Sequence, residues 1–415
     1  MEVELVTIGD ELLLGFTIDT NAAHLARQLA DAGITIRRRA TVGDTAAEIV
    51  DAVQAALDRT GAVITTGGLG PTSDDLTKPS IARIFGREMF LDEEHVSWMQ
   101  DRWRARFGRE MPESNRNQAM LPRGARKLVN NHGSAPGIWL EDERGRWVAM
   151  LPGVPREMRG MLADTLLPLV RERAGSGGRV VRSLTLRTTG IAESMLADMI
   201  GDRLKNWPSL SLAYLPGIDG VDLRVTIRDA ESQVADEQLS TATDALRKAV
   251  GAGIYGTESE DLAEIVLALC RARRDTIAVA ESCTGGLLGA RLTTPPGSSD
   301  VFLGGVIAYS NAVKEQQLGV SASEIAEHGA VSEPVVRQLA SGVRTLMGAS
   351  IGIGITGIAG PGGGSEEKPV GTVWIGVDFA GTVETRLARL WGNREEVRYR
   401  AAQLAMEIVR RKLSA

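Results

Sequence analysis

Two cysteines in 415 residues, Cys270 and Cys283, leave no disulfide framework to read. Such a chain belongs in a reducing compartment rather than among secreted, cross-linked scaffolds. Long apolar runs are missing as well: no stretch approaches the roughly 20 residues that cross a bilayer. No basic segment leading into an apolar stretch precedes the first strand, so the expectation is a soluble, cytoplasmic protein without a membrane partner. The four histidines, His24, His95, His132 and His328, show none of the close pairings of zinc motifs. Basic charge is in deficit too, with 47 Lys and Arg against 53 Asp and Glu and a net charge of −6. That balance argues against direct coating of nucleic acid or anionic lipid. The short basic clusters at 37–39 and 410–412 are read as solvated ends of elements.

What is present is length and apolar mass. With 43% apolar residues, 415 positions exceed one ordinary domain. From residue 1 to about 170, apolar strands alternate with helical periods, the mark of a doubly wound α/β layer. Strands are expected over 3–8, 35–42 and 62–66, and helices over 21–32 and 46–60. Right-handed crossovers would bring Gly9, Asp10 and Glu11 to the same sheet edge as Gly67 and Gly68. A polar, Gly-rich break is expected at 171–179. A small α+β unit follows, with strands over 180–188, 210–214 and 222–228 and helices over 192–207 and 235–250. After a second break near 253–260 comes another α/β unit, ending in a long helix over 395–413. The expected domains are 1–170, 179–252 and 258–415.

Two constellations carry chemistry. In the first, Gly9-Asp10-Glu11 follows one strand, and Thr66-Gly67-Gly68-Leu69-Gly70-Pro71-Thr72-Ser73-Asp74-Asp75 follows another. Glycines let backbone amides approach a phosphate, and the carboxylates Asp10, Asp74 and Asp75 suit a hard divalent cation such as Mg²⁺. The bland alternative is that Asp74 or Asp75 caps a helix starting near Leu76. The turn at 151–158 is expected to line the same pocket, with Arg156 as a phosphate partner.

In the second constellation, Glu281-Ser282-Cys283-Thr284-Gly285-Gly286 reads as strand, sharp turn, helix. Ser282 would stand at the sheet edge as a nucleophile, with the amides at the helix start, around Gly285 and Gly286, facing developing negative charge. Without a nearby histidine, the base would be Lys314, provided that burial lowers its pKa. Tyr309 would orient the proton, Thr356 would bond substrate, and Arg394 would hold a phosphate. The competing readings are Ser282 as a helix cap, Lys314 as a surface lysine, and Cys283 as a rival nucleophile if the helix start depresses its pKa.

Taken together, Gly9 to Leu12, Thr66 to Thr77, Glu281 to Gly286, Tyr309 to Lys314 and Gly357 to Gly363 resemble the CinA family of competence/damage-inducible proteins. The resemblance implies three parts: a molybdopterin-binding-like N-terminal domain, a KH-like α+β connector and a C-terminal nicotinamide-nucleotide amidase domain. It implies hydrolysis of nicotinamide mononucleotide to nicotinic acid mononucleotide and ammonia, with Ser282, Lys314 and Tyr309 in the motif positions and no cofactor. It also implies metal-dependent cleavage of ADP-ribose to AMP and ribose 5-phosphate at the N-terminal site, and a homodimer. Competing functions are a scaffold in DNA uptake and recombination, and a pterin-binding module. The connector's Gly217-Ile218-Asp219-Gly220 fits Gly-x-x-Gly spacing but lies between strands and carries an acid, so it is read as a hairpin loop.

Overall fold

The computed structural model describes residues 1–175, 180–205, 207 and 209–414, and of Asp229 the backbone alone. Among the described residues no helix is long and apolar enough to cross a membrane. The chain divides into two compact units, Met1–Arg182 with Ile227–Glu237, and Ser183–Thr226 with Gln238–Ala415.

In the first unit a six-stranded sheet runs in the order Thr35–Val42, Glu2–Ile8, Ala62–Thr66, Trp147–Leu151, Gly137–Glu141, Arg126–Leu128. The first four strands are parallel and the last two antiparallel. Alternation along the first strand sends Val3 and Leu5 to one core and Val6 and Ile8 to the other, so both faces are covered. Glu4, on this strand, is buried and held by Arg59 through two bonds of 2.7 Å. Helix Ala46–Thr60 is capped by Thr45, whose hydroxyl accepts from Glu48 N, and closed by left-handed Gly61. Because the strands at Ile8 and Thr66 are parallel neighbours, both following turns open at one edge of the sheet.

The expected break at 171–179 begins later than the composition implies. Helix Leu167–Ala174 runs through Arg171, Glu172 and Arg173, and residues 176–179 lie outside the described residues. The middle sheet has the order Leu210–Pro216, Val221–Ala230, Val180–Thr188, Ile254–Thr257. Its helix Glu193–Ile200 is shorter than the expected 192–207, ending at Gly201 with φ 51. The loop at 217–220 is a hairpin turn, closed by Gly217 N donating to Gly220 O.

The C-terminal sheet has the order Phe302–Ile307, Ile277–Glu281, Ile351–Gly357, Thr372–Phe379, Thr382–Arg389, the first three parallel. Its central strand alternates isoleucine with glycine. Ile351, Ile353 and Ile355 enter one core with Val397, Ala401 and Val409 of helix Arg394–Ser414. On the opposite face a Cβ at Gly352 would stand 2.2 Å from Ala340 O, so helix Glu333–Met347 lies directly on the backbone. Two layers of helix around the sheet follow, as the α/β class requires.

Candidate functional site

The parallel register builds the C-terminal site. Glu281 pairs with Ile307 on one side and Ile355 on the other, so the next residues, Ser282 and Ala308, leave the sheet at the same edge. Ser282 N donates to Ile355 O, which pins the start of the turn. Helix Asn311–Leu318, capped by Ser310, then carries Lys314 back under that edge. Lys314 is only 2% exposed, and its Nζ donates to Ala308 O at 2.8 Å and Tyr309 O at 3.3 Å. Burial lowers its pKa, against an opposing influence from Cys283. The surface-lysine reading is thereby excluded, and the bond to Ala308 O, the residue that leaves the sheet beside Ser282, places Lys314 at that edge.

Ser282 is not a helix cap. The following helix, Leu287–Thr293, has Gly286 at its N-cap position and receives no side-chain bond from that residue. Glu281, 1% exposed, caps it instead, its carboxylate accepting from Gly286 N (2.9 Å), Leu288 N (3.1 Å) and Gly289 N (2.7 Å). This corrects the expectation for Gly285 and Gly286: Gly285 N is spent on Ser282 O and Gly286 N on Glu281, so neither amide faces a ligand. Among the described residues, Thr284 N–H has no acceptor, and the Thr284 hydroxyl is buried without a partner. Cys283 N–H likewise has no acceptor among the described residues, so the unspent donors lie one and two residues after the serine.

Cys283 is buried, and desolvation together with the charge of Glu281 pushes its thiol up to about 12. The helix start cannot depress that pKa, because its amides already face the Glu281 carboxylate. Thr356 is also corrected: it is buried, and its hydroxyl donates to Ala330 O at 2.8 Å, which closes the strand end rather than presenting a donor. Tyr309 is 60% exposed, and its hydroxyl accepts from Arg394 Nη2 at 2.9 Å, while Arg394 Nη1 donates to Gly360 O. Arg398, which the sequence marks only as a neighbour of Arg394, donates to Thr284 O through Nε and Nη2. Arg398 thus touches the turn itself, while Arg394 is tied to Tyr309 and Gly360. Arg400 instead lies 3.5 Å over the Trp391 ring.

At the N-terminal sheet edge a cleft of about 460 Å³ is lined by Gly67, Gly68, Gly70, Glu11, Asp44 and Asp74, among others. Gly67 has φ 111, and a Cβ there would meet Ile8 O at 2.1 Å, so the two turns touch through bare backbone. Asn21 Oδ1 and Gln118 Oε1, both in the cleft wall, are buried acceptors without a partner. No sequence pattern singles these two out, since each lies far from the glycine turn.

The carboxylates expected to hold metal do not gather. Asp75 accepts from Gly70 N (2.7 Å), Thr72 N (2.8 Å) and Thr72 Oγ1 (2.5 Å), so its oxygens brace the glycine turn. Asp10 lies outside the cleft lining, in reciprocal bonds with Asp44, and Asp74 is exposed on the wall. Among the described residues no group of three or more potential ligands can hold an ion. Asp10, Asp74 and Asp75 as a set therefore do not fit a divalent cation. Neither Asp74 nor Asp75 caps the next helix, Thr77–Ile84, whose N-cap is Leu76 without a side-chain bond. Arg156 is corrected as well: it lines a separate cavity, not the glycine cleft.

Family models described as a probable molybdopterin binding domain, a damage-inducible protein CinA KH domain and a CinA C-terminal domain match residues 4–172, 183–256 and 259–413. A CinA-like protein of Gemmatimonas aurantiaca is 62% identical over 99% of this chain and 96% of its own length. One from Salinibacter ruber is 42% identical over the whole of both chains. A crystal structure of a CinA superfamily protein from Klebsiella pneumoniae is 38% identical, covering 37% of this chain and 99% of that one, with a TM-score of 0.36. With relatives this similar along its full length, the chain belongs to the CinA family.

Proposed function

We propose that the C-terminal unit is a serine amidohydrolase that cleaves the carboxamide of nicotinamide mononucleotide. The observation that carries this reading is Lys314, buried, lowered in pKa and anchored at the strand end beside the Ser282 turn. Lys314 takes the proton of Ser282 Oγ as that oxygen bonds to the amide carbon. Cys283 N–H and Thr284 N–H are the unspent donors for the carbonyl oxygen that becomes negative. Lys314 then protonates the amide nitrogen, the C–N bond breaks and ammonia leaves. Water, deprotonated by Lys314, releases nicotinic acid mononucleotide from Ser282. Arg394 and Arg398 supply positive charge for the phosphate, and Tyr309 is steered by Arg394.

The test is release of ammonia and nicotinic acid mononucleotide by the purified full chain. The wild type should turn over, and Lys314→Ala should lose on the order of 10² to 10⁴ in rate, the usual worth of a general base. No turnover by wild type, or a near-normal rate in the variant, would overturn the reading.

For the N-terminal cleft we propose binding of a phosphorylated ligand of the ADP-ribose class. The phosphate would meet the Gly68 and Leu69 amides, which have no acceptor among the described residues, and hydroxyl or amine donors would meet Asn21 and Gln118. Because Asp10, Asp74 and Asp75 do not fit a metal as a set, no hydrolytic step is routed through them. Recruitment in competence, the role echoed in the family's naming, does not account for a buried lysine under a serine turn.

A further inference from the structure

A second cavity, of about 400 Å³, adjoins the glycine cleft and shares Val154 and Glu157 with it. Arg102 and Arg106 enter it from helix Glu93–Phe107, and Arg156 from helix Pro155–Met161. Among the described residues none of the three guanidiniums is in an ion pair. Arg102 lies 5.3 Å over the Trp98 ring and Arg106 5.2 Å over the Phe107 ring. Asp164 pairs with the cavity's His132 at 2.9 Å, while Glu157, in the same wall, is held by the neutral Asn130 amide at 2.6 Å and, among the described residues, is in no ion pair. The Trp103 indole N–H, also in the wall, is buried without an acceptor. Phe107, Met99 and Met111 supply apolar surface.

Three guanidiniums outside any ion pair, set against the single Glu157 carboxylate, with an idle N–H donor and an apolar wall, describe a receptor for an anion with a flat body. We infer that this cavity is a second binding site in the N-terminal unit, taking a small organic phosphate with a planar ring, of the nucleoside monophosphate class. The guanidiniums meet the phosphate, the ring lies against Phe107 and the methionines, and the Trp103 N–H donates to the ligand. Through Val154 and Glu157, occupancy here reaches the wall of the glycine cleft. The inference does not rest on the amidase reading.

Calorimetric titration of the full chain with AMP, in chelator, tests it. Wild type should bind saturably. Arg102→Gln combined with Arg106→Gln, and separately Trp103→Phe, should each weaken binding, the arginine pair by about tenfold or more. Asp75→Ala, which disturbs the glycine turn, should leave this event in place, and ribose 5-phosphate should bind more weakly than AMP. The proposal is overturned by absence of saturable binding to wild type, or by unchanged affinity in both cavity variants. Loss of binding in Asp75→Ala alone would place the ligand in the glycine cleft and would also overturn it. Equal affinity for ribose 5-phosphate would remove the planar ring from the assignment.

Discussion

Glu281 takes the role that helix geometry otherwise reserves for a ligand. A carboxylate that accepts from Gly286, Leu288 and Gly289 neutralises the helix start, and among the described residues it leaves the Cys283 and Thr284 amides without an acceptor. Burial, reinforced by the same charge, raises the adjacent Cys283 thiol, which separates it from the proposed nucleophile Ser282 beside it in sequence. Lys314 sets the pH behaviour. Burial disfavours its charged form, so it loses its proton below the ordinary lysine value of about 10.4. Only the neutral amine accepts from Ser282, so kcat/KM should rise with pH through this lowered pKa and fall away as the amine protonates. A profile flat from about pH 6 to about pH 10 would contradict a lysine base. The turn that carries Ser282 and the helix that carries Lys314 were legible because strand, turn and helix are marked by apolar runs and glycine. The spent state of the Gly285 and Gly286 amides was not, because it depends on where the Glu281 side chain folds back.

At the scale of elements, the alternating Ile-Gly strand Ile351–Gly357 sets how close a helix can come. Gly352→Ala would place a methyl against the Ala340 carbonyl, on backbone that cannot swing aside. The cost should be about 1–3 kcal/mol, read by chemical denaturation, with the C-terminal sheet unfolding at lower temperature. A neutral result would mean that the helix shifts freely on the sheet. Strands at Thr35–Val42 and Ala62–Thr66 and helix Ala46–Thr60 coincide with their sequence expectations, the helix through its apolar period and Thr45 cap and strand Ala62–Thr66 through a short buried run between Gly61 and Gly67. Strands Arg126–Leu128 and Gly137–Glu141 had no such signal. The first is three residues long, and both are ordered by pairing with partners distant in the chain. Arg156 shows the same limit: its turn was readable, but the cavity it lines depends on helix Glu93–Phe107 packing nearby.

At the scale of the whole molecule, two compact units each carry a candidate site, and the loop at 217–220 is structural in the second. Its Asp219 meets Arg187 at 3.1 Å and lies 4.0 Å from Arg291, a residue of the helix that follows the Ser282 turn. The acid that made this loop a poor nucleic-acid clamp is thus committed to internal cations. In the first unit, Asp75→Ala should open the glycine turn. It should weaken ADP-ribose binding to the same degree with and without added magnesium, and leave the amidase rate unchanged. A loss seen only with magnesium would restore a metal role to Asp75. The central claim is that Ser282, not Cys283, attacks an amide with Lys314 as base. The most direct measurement is ammonia release from nicotinamide mononucleotide by wild type, Ser282→Ala and Cys283→Ala side by side. The account predicts turnover by wild type and Cys283→Ala and none above background from Ser282→Ala; activity retained in Ser282→Ala and lost in Cys283→Ala would contradict it.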